Sequence, residues 1–226
     1  HPRVLILAIL SLATLCAQLN SKKVVTALNC GTNQVSVPAP EGFRFKPDRP
    51  HVKGDSHEAD YTLNENLNDI EIKYTFERDV YMYERHSYSQ MTYTLPVRTG
   101  FNTIILKFAE MYFDSKGKRV FDVFLGKKVI FKDLDVYAEV GKFAALDKYF
   151  EVEVVKGECL YNGQPVVGAL DDGQVVVSFV KGKADNPIVQ GIVVYNAPLA
   201  GTCGRMQSRT TRSTPTSRTS GTSSSR

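Results

Sequence analysis

Residues 120–131 read Val-Phe-Asp-Val-Phe-Leu-Gly-Lys-Lys-Val-Ile-Phe. Two runs rich in Val, Ile and Phe, 120–125 and 127–131, flank Leu125-Gly126-Lys127-Lys128, which has the form of a tight hairpin turn. The same texture extends in both directions. Runs of about five to eight residues occupy 24–29, 70–76, 91–97, 102–109, 149–155, 174–180 and 188–195. Turn signals separate them: Arg98-Thr99-Gly100, Ser115-Lys116-Gly117, Asn162-Gly163 and Asp171-Asp172-Gly173. A single short helix is expected within 133–140. Many short strands with regular turns and no internal repeat predict an all-β protein, a β-sandwich or jelly roll with one or two short helices.

The ends read differently from this body. His1-Pro2-Arg3 followed by an apolar run to Ala17 has the layout of a secretory signal peptide over 1–19, with cleavage near Ala17 or Gln18. The run is short for a membrane span. Residues 204–226 contain 13 Ser or Thr, five Arg and no acid. Such a segment cannot bury enough apolar surface to fold, and it is expected to be disordered. The folded domain is therefore expected over 20–203. The net charge of +4 comes from the ends: without Arg3, Lys22, Lys23 and the five tail arginines, 20 basic residues face 24 acidic ones. The body offers no basic stripe, which argues against nucleic acid as a partner. Of the four cysteines, Cys16 leaves with the signal. Cys30, Cys159 and Cys203 remain, enough for one bridge but not for a disulfide framework. No Cys or His spacing suits a metal, and no metal or other cofactor is expected.

Enzyme motifs are missing. There is no Gly-x-Ser-x-Gly, P-loop, Gly-x-Gly-x-x-Gly or His-Glu-x-x-His. Glu110, Asp114 and Asp185 could supply a glycosidase carboxyl pair, but no motif supports the pairing. Sugar binding asks for less: aromatic rings to cover the C–H face of a pyranose, and a carboxylate or amide for its hydroxyls. Three stretches and one turn offer these parts. Glu58-Ala59-Asp60-Tyr61 lies in a polar loop, where Tyr61 can equally pack back on the core. Tyr81-Met82-Tyr83-Glu84-Arg85-His86-Ser87-Tyr88 is an edge strand or long loop. If it is extended, Tyr81, Tyr83 and Arg85 alternate with Met82 and Glu84. In Phe108-Ala109-Glu110-Met111-Tyr112-Phe113-Asp114, Tyr112 and Phe113 cannot both be core if the strand continues, because adjacent residues face opposite ways. Either one of them is exposed or the chain has turned into a loop. Asp185-Asn186-Pro187 is an Asx-turn, a hydroxyl acceptor at Asp185, or both at once.

These blocks, taken together, resemble the malectin family over about 24–195. The matching stretches are Ala27-Leu28-Asn29-Cys30-Gly31, Ala59-Asp60-Tyr61, Leu106-Lys107-Phe108-Ala109-Glu110-Met111-Tyr112-Phe113, Val120-Phe121-Asp122-Val123, Val129-Ile130-Phe131-Lys132-Asp133-Leu134-Asp135 and Phe179-Val180-Lys181-Gly182-Lys183-Ala184-Asp185-Asn186-Pro187. Order and spacing make the set specific. The resemblance implies the fold of a carbohydrate-binding module and a non-catalytic lectin of the endoplasmic reticulum lumen. It implies a glucose disaccharide or diglucosylated high-mannose N-glycan as ligand. It further implies a role in glycoprotein quality control, with ribophorin I of the oligosaccharyltransferase as a partner. Tyr61, Tyr112, Phe113 and Asp185 fall on the family's sugar-binding positions. The family's fourth aromatic follows a Glu-Arg pair. Counting back from Tyr93-Thr94-Leu95-Pro96 selects Glu84-Arg85, so His86 stands in the tyrosine's place, with Tyr88 two residues on as the other candidate ring. This region is about three residues longer than in the family, and the tail replaces the family's acidic segment and membrane helix. Membrane attachment is thus not supported. A sandwich that binds protein through a degenerate sugar site is the competing reading.

Overall fold

The computed structural model describes residues 21–198, apart from 34 and 68. The expected signal peptide and Ser/Thr/Arg tail, with Cys16 and Cys203, lie outside the described residues. Cys30 and Cys159 are both buried free thiols.

Among the described residues the strands form three sheets. The largest has eight strands in the spatial order Gln164–Pro165, Glu158–Tyr161, Ala145–Val155, Gly100–Ala109, Gly191–Tyr195, Val24–Asn29, Arg44–Pro47, Val37–Pro38. The second runs Lys128–Leu134, Val120–Leu125, Gln174–Ala184, Gln90–Pro96, Val52–Lys53, with Leu170–Asp171 paired to Gln174–Ala184. The third holds Ile188–Val189, Tyr83–His86 and His57–Asp60. The quoted hairpin closes as expected, Leu125 facing Lys128 across two loop residues. Asn162-Gly163 and Asp172-Gly173 turn two further hairpins with positive φ at both positions, the conformation that matches strand twist.

Alternation along Gly100–Ala109 explains the layering. Ile104, Leu106 and Phe108 enter the core between the two large sheets, against Met91, Tyr93, Phe121, Val123, Val177 and Phe179. Ile105 and Ala109 face the other way, into a second core under Val80, Tyr81, Met82 and Phe45. The strand is buried on both faces, which is why its sequence reads as nearly continuous apolar residues. Lys107 is on the second face too. It is tolerated there because its ammonium meets Glu77 at 2.6 Å and Asp147 at 2.8 Å.

Several sequence expectations need correction. Residues 70–76 are not a strand: only Lys73 bridges, to Ala144, and Tyr74 turns into positive φ. The run 188–195 is split between two sheets, because Gln190 bonds sideways. Short strands at Arg44–Pro47, His57–Asp60 and Tyr83–His86 carry too few apolar residues to stand out in the sequence. The short helix is Val136–Val140, capped by Asp135, whose side chain accepts from the Ala138 N–H at 2.9 Å. A second, Arg78–Tyr81, is a single turn.

A buried ion pair ties the three-stranded sheet to the sandwich. Arg85 is fully buried and donates Nε and Nη2 to Asp48, both at 2.6 Å, and Tyr93 donates to the same carboxylate. Removing Asp48 would leave the buried Arg85 charge with only the partly exposed Glu58 carboxylate, 3.1 Å from Nη2. Asp48→Ala is expected to cost about 3–5 kcal/mol in urea denaturation, and the double change Asp48→Ala/Arg85→Met to cost less than the single one. A loss below about 1 kcal/mol for Asp48→Ala would contradict this assignment.

Candidate binding site

The site grows from the register of the three-stranded sheet. His86 stands between His57 and Ile188, and Glu84 opposite Ala59. Residues two apart share a face, so Glu84 and His86 point one way and Arg85 the other. The His57 and His86 rings stack with centroids 5.6 Å apart. Tyr88, 60% exposed, closes on His57 at 4.6 Å and on His86 at 6.0 Å. Of the two Glu-Arg pairs, Glu84-Arg85 thus leads into this cluster, whereas Glu77 binds Lys107 on the second core.

Tyr61 follows the His57–Asp60 strand, its N–H bonded to the Met82 carbonyl. Its hydroxyl donates to Glu84 Oε2 at 3.1 Å. Gln190 Nε2 donates to the same oxygen at 3.2 Å and to the Ala109 carbonyl at 2.9 Å. Behind Glu84 the backbone is closely packed. A Cβ on Gly31 would lie 2.0 Å from the Glu84 carbonyl oxygen, and Gly31 has φ +88°. Only glycine fits that approach, which gives a physical reason for the Cys30-Gly31 step.

Tyr112 and Phe113 supply further rings. The strand stops at Ala109, and Glu110 turns its carboxylate back to accept the N–H groups of Tyr112 and Phe113, each at 2.9 Å. That bend sets the two rings edge to face at 5.0 Å, with Tyr112 70% exposed. Both aromatics therefore leave the core, the loop alternative of the parity argument. Arg119 joins the parts. It donates Nε to Glu110 Oε2 at 2.8 Å and Nη1 to the Asn186 carbonyl at 3.1 Å. It pairs with Asp185 at 3.0 Å and lies 5.2 Å over the Phe113 ring. Asp185 has φ +50°, a conformation that Asp tolerates better than most residues. Its side chain stays one-third exposed, so the carboxylate can accept further hydrogen bonds. The Asn186 side chain accepts from Lys181 at 3.4 Å.

Electrostatics bind these groups into one site. Burial pushes the Glu84 carboxyl up to about 7, against the opposing pull of Arg119 and the Tyr61 hydroxyl. Burial lowers the His86 imidazole, and His57 and Arg119 lower it further while Asp185 opposes them. Burial raises the Tyr61 phenol well above its ordinary value, helped by Glu84, so it stays a donor.

All six residues expected from sequence, Tyr61, His86, Tyr88, Tyr112, Phe113 and Asp185, thus belong to one connected cluster. Arg119, Glu84, Gln190 and His57 join it without having been singled out. Arg119 sits in Lys116-Gly117-Lys118-Arg119, which reads as a surface turn. Glu110, considered above as a catalytic carboxyl, is 1% exposed and committed to two N–H groups and Arg119. It is built to shape the loop. Among the described residues no group of His, Cys, Asp and Glu could hold a metal ion, and no helix is long and apolar enough to cross a membrane.

A sequence model of the malectin domain matches residues 24–192. The chain belongs to the malectin family. Malectin of Danio rerio is 29% identical over 205 residues, covering 87% of this chain and 68% of its own length. Malectin of Mus musculus is 36% identical over 124 residues, covering 54% of this chain and 40% of its own length. Among solved structures, the extracellular domain of ANXUR2 from Arabidopsis thaliana superposes with a TM-score of 0.60 at 16% identity. That likeness covers 76% of this chain and 48% of the other, and it concerns the fold alone. The sandwich read from the hairpin and its neighbours is therefore the malectin-type fold.

The raised carboxyl of Glu84 gives this domain a pH signature. Between 4.5, the ordinary value, and about 7, the unfolded chain loses this proton while the folded chain keeps it. The contribution to stability is present at low pH and falls as pH rises through that window. Glu84→Gln cannot titrate, so its melting temperature relative to the native protein is expected to improve from pH 4.5 to 7.5. A constant difference across that range would contradict the assignment.

Proposed function

We propose that the protein is a non-catalytic lectin that binds the glucose disaccharide at the end of a glucosylated high-mannose N-glycan. The observation that carries this reading is the Arg119 hub. It lies over the Phe113 ring and pairs with the Asp185 carboxylate, so an aromatic ring and a hydroxyl acceptor meet at one residue. A pyranose presents the matching pair, C–H groups on one face and hydroxyls at its edge. Tyr61, Tyr112 and the His86–Tyr88 wall supply further rings, and Glu84 holds the Tyr61 ring by its hydroxyl. Membership of the malectin family supports carbohydrate as the ligand class and a binding domain over an enzyme. The finer reading also includes the endoplasmic reticulum lumen, glycoprotein quality control and ribophorin I as a partner, all drawn from the family resemblance.

A few contacts of about 1–3 kcal/mol each correspond to weak or moderate affinity, roughly micromolar to millimolar. Calorimetric titration of nigerose or maltose is expected to give saturable binding with the native protein and at least tenfold weaker binding with Asp185→Ala. Equal binding by both, with folding intact, would remove Asp185 from the site. His86 in place of the family's tyrosine favours a second reading, a protein-interaction surface with a degenerate sugar site. A glycan array with no signal, alongside a co-purifying protein, is the outcome that reading expects.

A further inference from the structure

Two large aromatics outside the pocket remain almost wholly in water: Phe76 is 94% exposed and Tyr74 79%. The loop that carries them is tied down on every side. Glu77 meets Lys107 at 2.6 Å, and its N–H bonds to Thr75 Oγ1. Arg78 donates to the carbonyls of Ile70 and Leu67. Lys73 exchanges backbone bonds with Phe143 and Ala145. Tyr74 is itself held at φ +65°, a costly conformation for a bulky residue. A loop so anchored, with its rings turned outward, is shaped for contact rather than for the core.

The backbone links this loop to the Tyr112 edge of the site. Glu110 bridges Lys142, and Ala144 bridges Lys73, both in parallel. Neighbouring segments in such a ladder lie about 4.8 Å apart. Phe143 is bonded on both sides, its N–H to the Glu110 carbonyl and its carbonyl to the Lys73 N–H, so Tyr74, next after Lys73, and Tyr112, two residues after Glu110, belong to the segments flanking it. Lys142 links Tyr112 and Phe143, donating to the Tyr112 carbonyl at 2.8 Å and lying 5.0 Å over the Phe143 ring. Exposed rings of this kind suit a chain of hexoses, whose C–H faces alternate with hydroxyls.

We propose that Tyr74 and Phe76 form an outer subsite for the hexose units that follow the terminal disaccharide, so that the protein reads an oligosaccharide rather than a disaccharide. This rests on the carbohydrate reading of the pocket. The test compares nigerose with a diglucosylated high-mannose oligosaccharide by calorimetry. The native protein, Tyr74→Ala/Phe76→Ala and Tyr112→Ala are each titrated after circular dichroism confirms the fold. The native protein is expected to bind the longer ligand at least fivefold tighter. The double variant should keep nigerose affinity within twofold and lose that advantage, while Tyr112→Ala weakens both ligands. If the native protein binds nigerose and the double variant retains the full advantage, or none exists to lose, the outer subsite is refuted and the pocket stands. If the native protein binds neither saccharide, both readings fall together.

Discussion

Glu84 and Arg85 are adjacent, ionisable and buried, and a strand must send them to opposite faces. The remaining architecture follows from that constraint. Arg85 turns inward to Asp48, which also accepts from the Tyr93 hydroxyl, and fastens the three-stranded sheet to the sandwich. Glu84 turns outward to Tyr61 and Gln190 and becomes the floor of the site. A one-residue slip of Tyr83–His86 would exchange the two faces and leave both polar side chains buried among the wrong partners, so the register is strongly specified. The same strand then has no freedom in where it delivers His86.

From Glu84 a continuous set of bonds crosses the site. Gln190 imitates a strand partner for Ala109, the last residue of the central strand. The next residue, Glu110, shapes the loop of Tyr112 and Phe113 and anchors Arg119. Arg119 returns to Asp185. The aromatic walls are thus positioned by buried charges rather than by packing alone. Burial of charge is tolerated because every member has partners, and a buried network of this kind fixes geometry more than it adds stability.

Much of this was legible in the sequence, for identifiable reasons. The hairpin at 120–131 and the central strand carry strong apolar patterning, and their structure follows it. Parity at Tyr112-Phe113 predicted that one or both rings leave the core, because a two-residue period cannot bury neighbours together. The alternating Ile70, Ile72, Tyr74 and Phe76 misled: Ile72 is buried, but Tyr74 breaks the extension and Phe76 stays in water. Arg119 could not be found from its surroundings, since its partners at 110, 185 and 186 converge only in three dimensions. Glu84 gave no sign of burial either, because only the register shows which face a charge takes.

In the proposed function a pyranose lies among Tyr61, Phe113 and Asp185. Ring-selective carbon-labelled tyrosine and phenylalanine, followed by nuclear magnetic resonance during a nigerose titration, reads this most directly. Saturable shifts are expected at Tyr61, Tyr112 and Phe113, with the core rings of Phe108 and Phe179 unmoved. Saturable shifts confined to rings outside the pocket, or no shifts at saturating sugar, would contradict it.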